Sequence, residues 1–131
     1  MSQLALVLWD KAQEALHAAR HDLAVSAEAA TSRAYYSAFY AVSAHFALQG
    51  RTFKKHSTLE VAVHRDLVRP GLWPEDLGEG FSRLVKLRHQ GDYGTIERIA
   101  VDDAEKAIKI AAAILKAVAE ANPAEFRDLL E

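Results

Sequence analysis

The feature that most constrains this chain is how sparsely and unevenly its helix-breaking residues fall. Six glycines and three prolines serve 131 residues. Most gather in four breaks: Gly50; Pro70, Gly71 and Pro74; Gly91 and Gly94; and Pro123. Between the breaks the segments are rich in Ala and Leu at helical spacing, and no alternating run of useful strand length occurs. The chain therefore reads as all-α.

Five helices and a short sixth follow from that punctuation. The first spans about Gln3 to His21, with Leu4, Leu8, Ala12, Ala15 and Ala19 along one stripe. The second spans about Ala27 to Leu48, with Ser26 as its N-cap and Gly50 just past its end. A third begins near His56-Ser57 and stops before Pro70. The fourth opens at Pro74, with Glu75 and Asp76 where the helix dipole favours acids, and fades near Gly91. The fifth starts at Asp102, with Glu105 three residues on, and reaches about Ala121. Asn122-Pro123 then opens a short C-terminal helix to Leu130. No linker, repeat or low-complexity tract divides the chain, so residues 1–131 are expected to form a single domain.

The second helix is unusual. From Ala34 to Leu48 apolar or aromatic residues occur on nearly every face, and such a helix is normally buried all round. In a domain of this size that needs a central place in the bundle or a partner surface, so a homodimer is expected. One face, Arg33, Tyr36, Tyr40 and Ser43, carries polar handles that could bond a neighbour or line a cleft.

Composition removes several functions. Half the residues are apolar and 26% charged, as in a globular protein, and the net charge is -2. There is no cysteine, hence no disulfide framework, thiolate metal site or thiol nucleophile. No apolar run is long enough for a membrane span, and the N-terminus lacks the basic start and cleavage site of a signal peptide. A cytoplasmic protein is expected. No nucleophile elbow, Walker loop or dinucleotide fingerprint is present, and no DNA-binding motif. His17 and His21 stand four apart on a helix, but no third ligand is near, so they read as surface residues and neither metal nor cofactor is expected. His45, in the crowded second helix, reads as a hydrogen-bonded core residue.

Charge is uneven along the chain. Residues 1–65 hold seven basic and five acidic groups, net +2, and residues 66–131 hold nine and thirteen, net -4. The stretch Arg51-Thr52-Phe53-Lys54-Lys55-His56 could meet a phosphate backbone, or simply be a solvated loop that His56 helps to dock. The cluster from Arg83 to Gly94 brings Arg83, Lys86, Arg88, His89, Asp92 and Tyr93 to the end of one helix. Arg grips phosphate with a planar fork and His moves protons near neutral pH, so the set could support metal-free phosphodiester cleavage by an RNA 2′-hydroxyl. It could equally be a cation-rich helix end that suits its dipole, with Asp92 tied to Arg88.

Three motifs in order, Ser32-Arg33-Ala34-Tyr35-Tyr36-Ser37-Ala38-Phe39, then His56-Ser57, then Arg88-x-x-x-Asp92-Tyr93-Gly94, resemble the HEPN superfamily. The likeness is to a prokaryotic branch with S-R-A-Y-Y-x-A-F and R-x-x-x-D-Y-G motifs, and it covers about Leu4 to Ala119. It implies an antiparallel bundle of four to five helices that commonly dimerises. It also implies RNA-directed roles in toxin-antitoxin and defence systems, often beside a minimal nucleotidyltransferase partner. Active HEPN nucleases carry R-x(4-6)-H near this helix end. Here Arg88 and the polar His89 match the front of that motif, while Tyr93 stands where the histidine belongs. A phenol titrates near ~10 against ~6.5 for an imidazole, which makes it a poor general base. Arg83 and His89 satisfy the same spacing in another register, one that disagrees with the Asp92-Tyr93-Gly94 match. Two expectations follow. The first is a nucleotide- or RNA-binding module, or nucleotidyltransferase partner, using Arg33, Tyr36, Tyr40, His56, Arg83, Asp92 and Tyr93, with Tyr93 a phenol open to adenylylation. The alternative is a metal-independent ribonuclease in which Arg88 holds phosphate and His89 is the acid-base.

Overall fold

The computed structural model describes residues 3–94 and 98–126. Five α-helices follow one another: α1 Gln3–Asp22, α2 Ala27–Ala47, α3 His56–Ala62, α4 Glu75–Tyr93 and α5 Val101–Ala121. A π-helical stretch, Val63–Val68, extends α3. Among the described residues there is no strand, and no helix long and apolar enough to cross a membrane.

α2 is the centre of the bundle, packed against α1, α4 and α5. Most of its apolar surplus is thereby covered inside the bundle. Ala30, Ala34, Ala38, Ala41 and Ala44 are fully buried, and their small side chains let the neighbouring helices come close. The closeness shows at Ser37, whose hydroxyl donates to the Ala12 carbonyl of α1 at 2.8 Å. Of the two explanations open for so apolar a helix, the central position accounts for its buried residues. Tyr36, Phe39 and Tyr40 stay half-buried on its rim.

Several boundaries depart from expectation, each for a local reason. Ser26 caps α2 as expected, accepting from the Ala29 amide at 3.1 Å. The buried stripe of α1 is Ala5, Trp9, Ala12, Ala15, Leu16 and Ala19, while Leu4 is 46% exposed. Trp9 turns the stripe by one position because its ring stacks on Phe126 at 4.8 Å. α4 begins at Glu75, with Pro74 as its cap, and runs through Gly91 to Tyr93. Its stop is Gly94, where any Cβ would collide with the Gln90 carbonyl. α5 starts at Val101, so Asp102 lies inside the first turn, and the Asp103 carboxylate takes the Ala100 amide at 3.4 Å. After α5 the chain makes turns from Asn122 to Phe126, and the rest of the expected C-terminal helix lies outside the described residues.

The third helix also differs from a plain α-helix. Its second half widens into the π stretch that leans on α4 at Gly78, where a Cβ would lie 2.5 Å from Val68 Cγ2. Single-turn π segments are rare and change where side chains point. Here the change carries His64 across to α4, its Nε2 2.8 Å from Ser82 Oγ.

Candidate functional site

The site lies where α4 crosses the first half of α2, with the start of α3 closing its side. Leu84 and Leu87 are buried and fix the inner face of α4. Arg88, next in sequence, is held at the edge of that face with its side chain 21% exposed. Its guanidinium carbon sits 5.3 Å from the Tyr35 ring centroid and 5.4 Å from that of Tyr36. Cation–π contact of this kind stiffens a long side chain that would otherwise sample many rotamers. Asp92 approaches from one helical turn on, Oδ2 3.2 Å from Arg88 Nε. That contact offsets charge but is not aligned as a hydrogen bond, and the buried Nε has no hydrogen-bond partner. Arg88 thus presents a clamped cation whose fork makes no protein hydrogen bond among the described residues.

His56 opens α3 and faces the same rings. It stacks on Phe39 at 4.3 Å and on Tyr35 at 5.6 Å, and meets Tyr36 edge-on at 5.8 Å. Its Nδ1 is 2.6 Å from the Tyr35 hydroxyl. Tyr35 must be the donor. Were Nδ1–H to donate instead, the hydroxyl proton of a residue 1% exposed would have no acceptor among the described residues. The imidazole proton then resides on Nε2, which has no partner there. Burial pushes the Tyr35 phenol far above its usual range, and Arg88 draws it back only in part. Burial, then the Arg88 cation, holds the His56 imidazole below its ordinary 6.5.

His45, at the far end of α2, is lowered by burial and by Arg51. It accepts on Nδ1 from the Asn122 amide at 2.9 Å, a hydrogen-bonded residue as expected. With both histidines depressed, the unfolded chain binds protons first as pH falls, so stability drops below about pH 6.5 until the folded-state values are passed. The melting temperature should accordingly fall between pH 7.5 and 5, and His56→Gln should remove part of the slope. A flat profile in differential scanning fluorimetry overturns this.

The structure joins some candidates and separates others. Arg88, Asp92, Tyr36 and His56 share one neighbourhood. His89 and Tyr93 form a pair on the outer side of the last turn of α4, rings 4.9 Å apart, with Tyr93 63% exposed. Arg33 and Tyr40 lie toward α1, lining a cleft with Lys11. Arg83 stands apart beside His64, Ser82 and Lys86. Of the basic stretch before α3, Arg51 is half-buried and engaged by the protein's own groups. It lies over Phe46 and Phe53 and bonds Asp66 at 2.9 Å; hydrogen bonds from Arg65 first, then Arg51, hold that carboxylate far below the usual range. His17 and His21 are exposed, and no group of three metal-ligating side chains occurs among the described residues.

Sequence reasoning missed two members of the site, Tyr35 and Phe39, although both stand in the aromatic run of α2. Their four-residue spacing was the available signal. It also missed the relay in which Ser82 donates to Glu60 at 2.7 Å and meets His64.

Comparison with known proteins agrees with this architecture. The HEPN domain family model matches residues 5–121. A UPF0332 protein of Thermotoga maritima is 34% identical over 89 residues, covering 68% of this chain and 67% of that protein. A match across nearly the whole helical bundle, Arg88 and its aromatic wall included, places this chain in the HEPN family.

Proposed function

We propose that the chain binds the phosphate of a nucleotide or RNA at Arg88. The observation that carries this reading is the clamped guanidinium, fixed over Tyr35 and Tyr36 with its hydrogen-bonding fork unused by the described protein. Preorganised Arg recognises phosphate oxygens two at a time, and little ordering entropy is left to lose on binding. The unpartnered Nε2–H of His56 supplies a further donor at the same wall, and Tyr36 and Phe39 supply faces for a base. The direct test is fluorescence anisotropy of a labelled single-stranded RNA against the parent and Arg88→Ala proteins. Equal binding by the two overturns the reading. A homodimer and a minimal nucleotidyltransferase belong to it as proposed partners, with exposed Tyr93 the phenol such an enzyme would reach.

A second reading, a metal-independent ribonuclease, is favoured by one observation: the His56 imidazole meets the same Tyr36 ring as the Arg88 guanidinium, while His89 follows Arg88 in sequence. RNA cleavage in excess chelator, lost in Arg88→Ala and in His56→Ala or His89→Ala, would establish it. An RNA pool left intact by the parent leaves binding alone.

A further inference from the structure

The aromatic wall does not end at the Arg88 site. Tyr36, 5.4 Å from the Arg88 guanidinium, also meets Tyr40 at 6.0 Å, one helical turn along α2. The Lys11 ammonium of α1 stands 5.6 Å from the centre of the Tyr40 ring. A cation, two phenol rings and a second cation therefore follow one another across the surface of α2. Beyond them Lys11, Glu14, Arg33 and Tyr40 line a shallow cleft of about 320 Å³ with Ala15 and Ala18. Arg33 is held only loosely there, 3.7 Å from Asp22 with its side chain 59% exposed.

Alternation of aromatic faces with cations is what single-stranded nucleic acid requires, because each base offers a face to stack and each linkage a charge to neutralise. A free mononucleotide needs one such unit. We propose that the Lys11–Tyr40 cleft is a second nucleotide subsite of the Arg88 site, and that the ligand is a single-stranded polynucleotide laid across α2. This rests on the phosphate reading of Arg88 and extends it to the class of ligand. The cleft beside Arg83 and Lys86 is the other direction a strand could take from Arg88. It is lined by His64, Glu79 and Ser82, so it offers charge without a tyrosine or phenylalanine face. Stacking selects the α1 side.

The experiment is competition by uridine monophosphate, a uridine dinucleotide and a uridine hexamer against a labelled hexamer, with a thymidine DNA hexamer as a parallel arm. For the parent, affinity rises with length. Lys11→Ala weakens the hexamer by about ten-fold and leaves the mononucleotide unchanged, and Tyr40→Leu weakens the hexamer by a similar factor. Lys11→Ala also reduces the slope of log affinity against log salt by about 0.7, one phosphate contact on a single strand. Lys11 is exposed, so its variant tests the subsite even if Tyr40→Leu fails to fold. The DNA arm tells whether the 2′-hydroxyl contributes, and tight binding of either hexamer supports the track. If Arg88→Ala abolishes binding while both cleft variants keep the full length dependence, the second subsite is overturned and the phosphate reading stands. Loss in Arg83→Ala without loss in Lys11→Ala also overturns it, by sending the strand the other way. If Arg88→Ala changes nothing, the phosphate reading itself has failed.

Discussion

Arg88→Ala is expected to fold like the parent and to bind single-stranded RNA about 10- to 100-fold more weakly. The size follows from charge-assisted hydrogen bonds, worth roughly 1.5–3 kcal/mol each when a charged partner is lost. The fold survives because the partner left behind, Asp92, has its side chain 37% exposed and within reach of water. Arg88→Lys separates charge from shape. An ammonium keeps the positive potential but cannot make the two-pronged contact, so it should recover only part of the affinity. Full recovery by lysine would mean that Arg88 contributes a field and no directed contact. A melting curve for each variant excludes unfolding as the cause.

Phe81→Ala should be the costliest single change at the back of the site. The ring is fully buried on α4 and lies 6.4 Å from that of Tyr35. Truncating a buried phenylalanine loses its transfer energy and leaves a cavity, together about 3–5 kcal/mol. In a chain of this length that lowers the melting temperature by roughly 10–20 °C. The site should feel the change too, because Tyr35 orients both His56 and Arg88. Phe81→Leu fills most of the space and should restore much of both stability and binding. A loss below about 1 kcal/mol for Phe81→Ala would show that the neighbouring rings collapse into the gap.

The order and extent of the helices were legible because helix ends are local events. Ser26 before α2 and Pro74 before α4 act on backbone within a few residues, and the periodic apolar faces supply the rest. The Arg88–Asp92 pair was legible for the same reason, since residues four apart on a helix are neighbours. What sequence spacing cannot show is contact between elements. Tyr35 meets His56 across 21 positions, and His64, in the π stretch, meets Ser82 across 18. The stripe of α1 was misplaced at Leu4 for a similar reason. Trp9 is anchored by Phe126, at the other end of the chain, and nothing near Trp9 announces it.

That contact between the two ends of the chain also sets an order in time. α1 and α2 are neighbours in sequence and form a helical hairpin whose closure needs only a short loop, the kind of contact that forms early. The Trp9–Phe126 stack and the His45–Asn122 bond must await the last residues of α5 and beyond. A chain emerging in order therefore holds a helical hairpin with one side of α2 and the face of Trp9 uncovered until Asn122 and Phe126 are free to fold back onto it. For this bundle, exposure to misassembly lasts until the segment from Asn122 to Phe126 has docked.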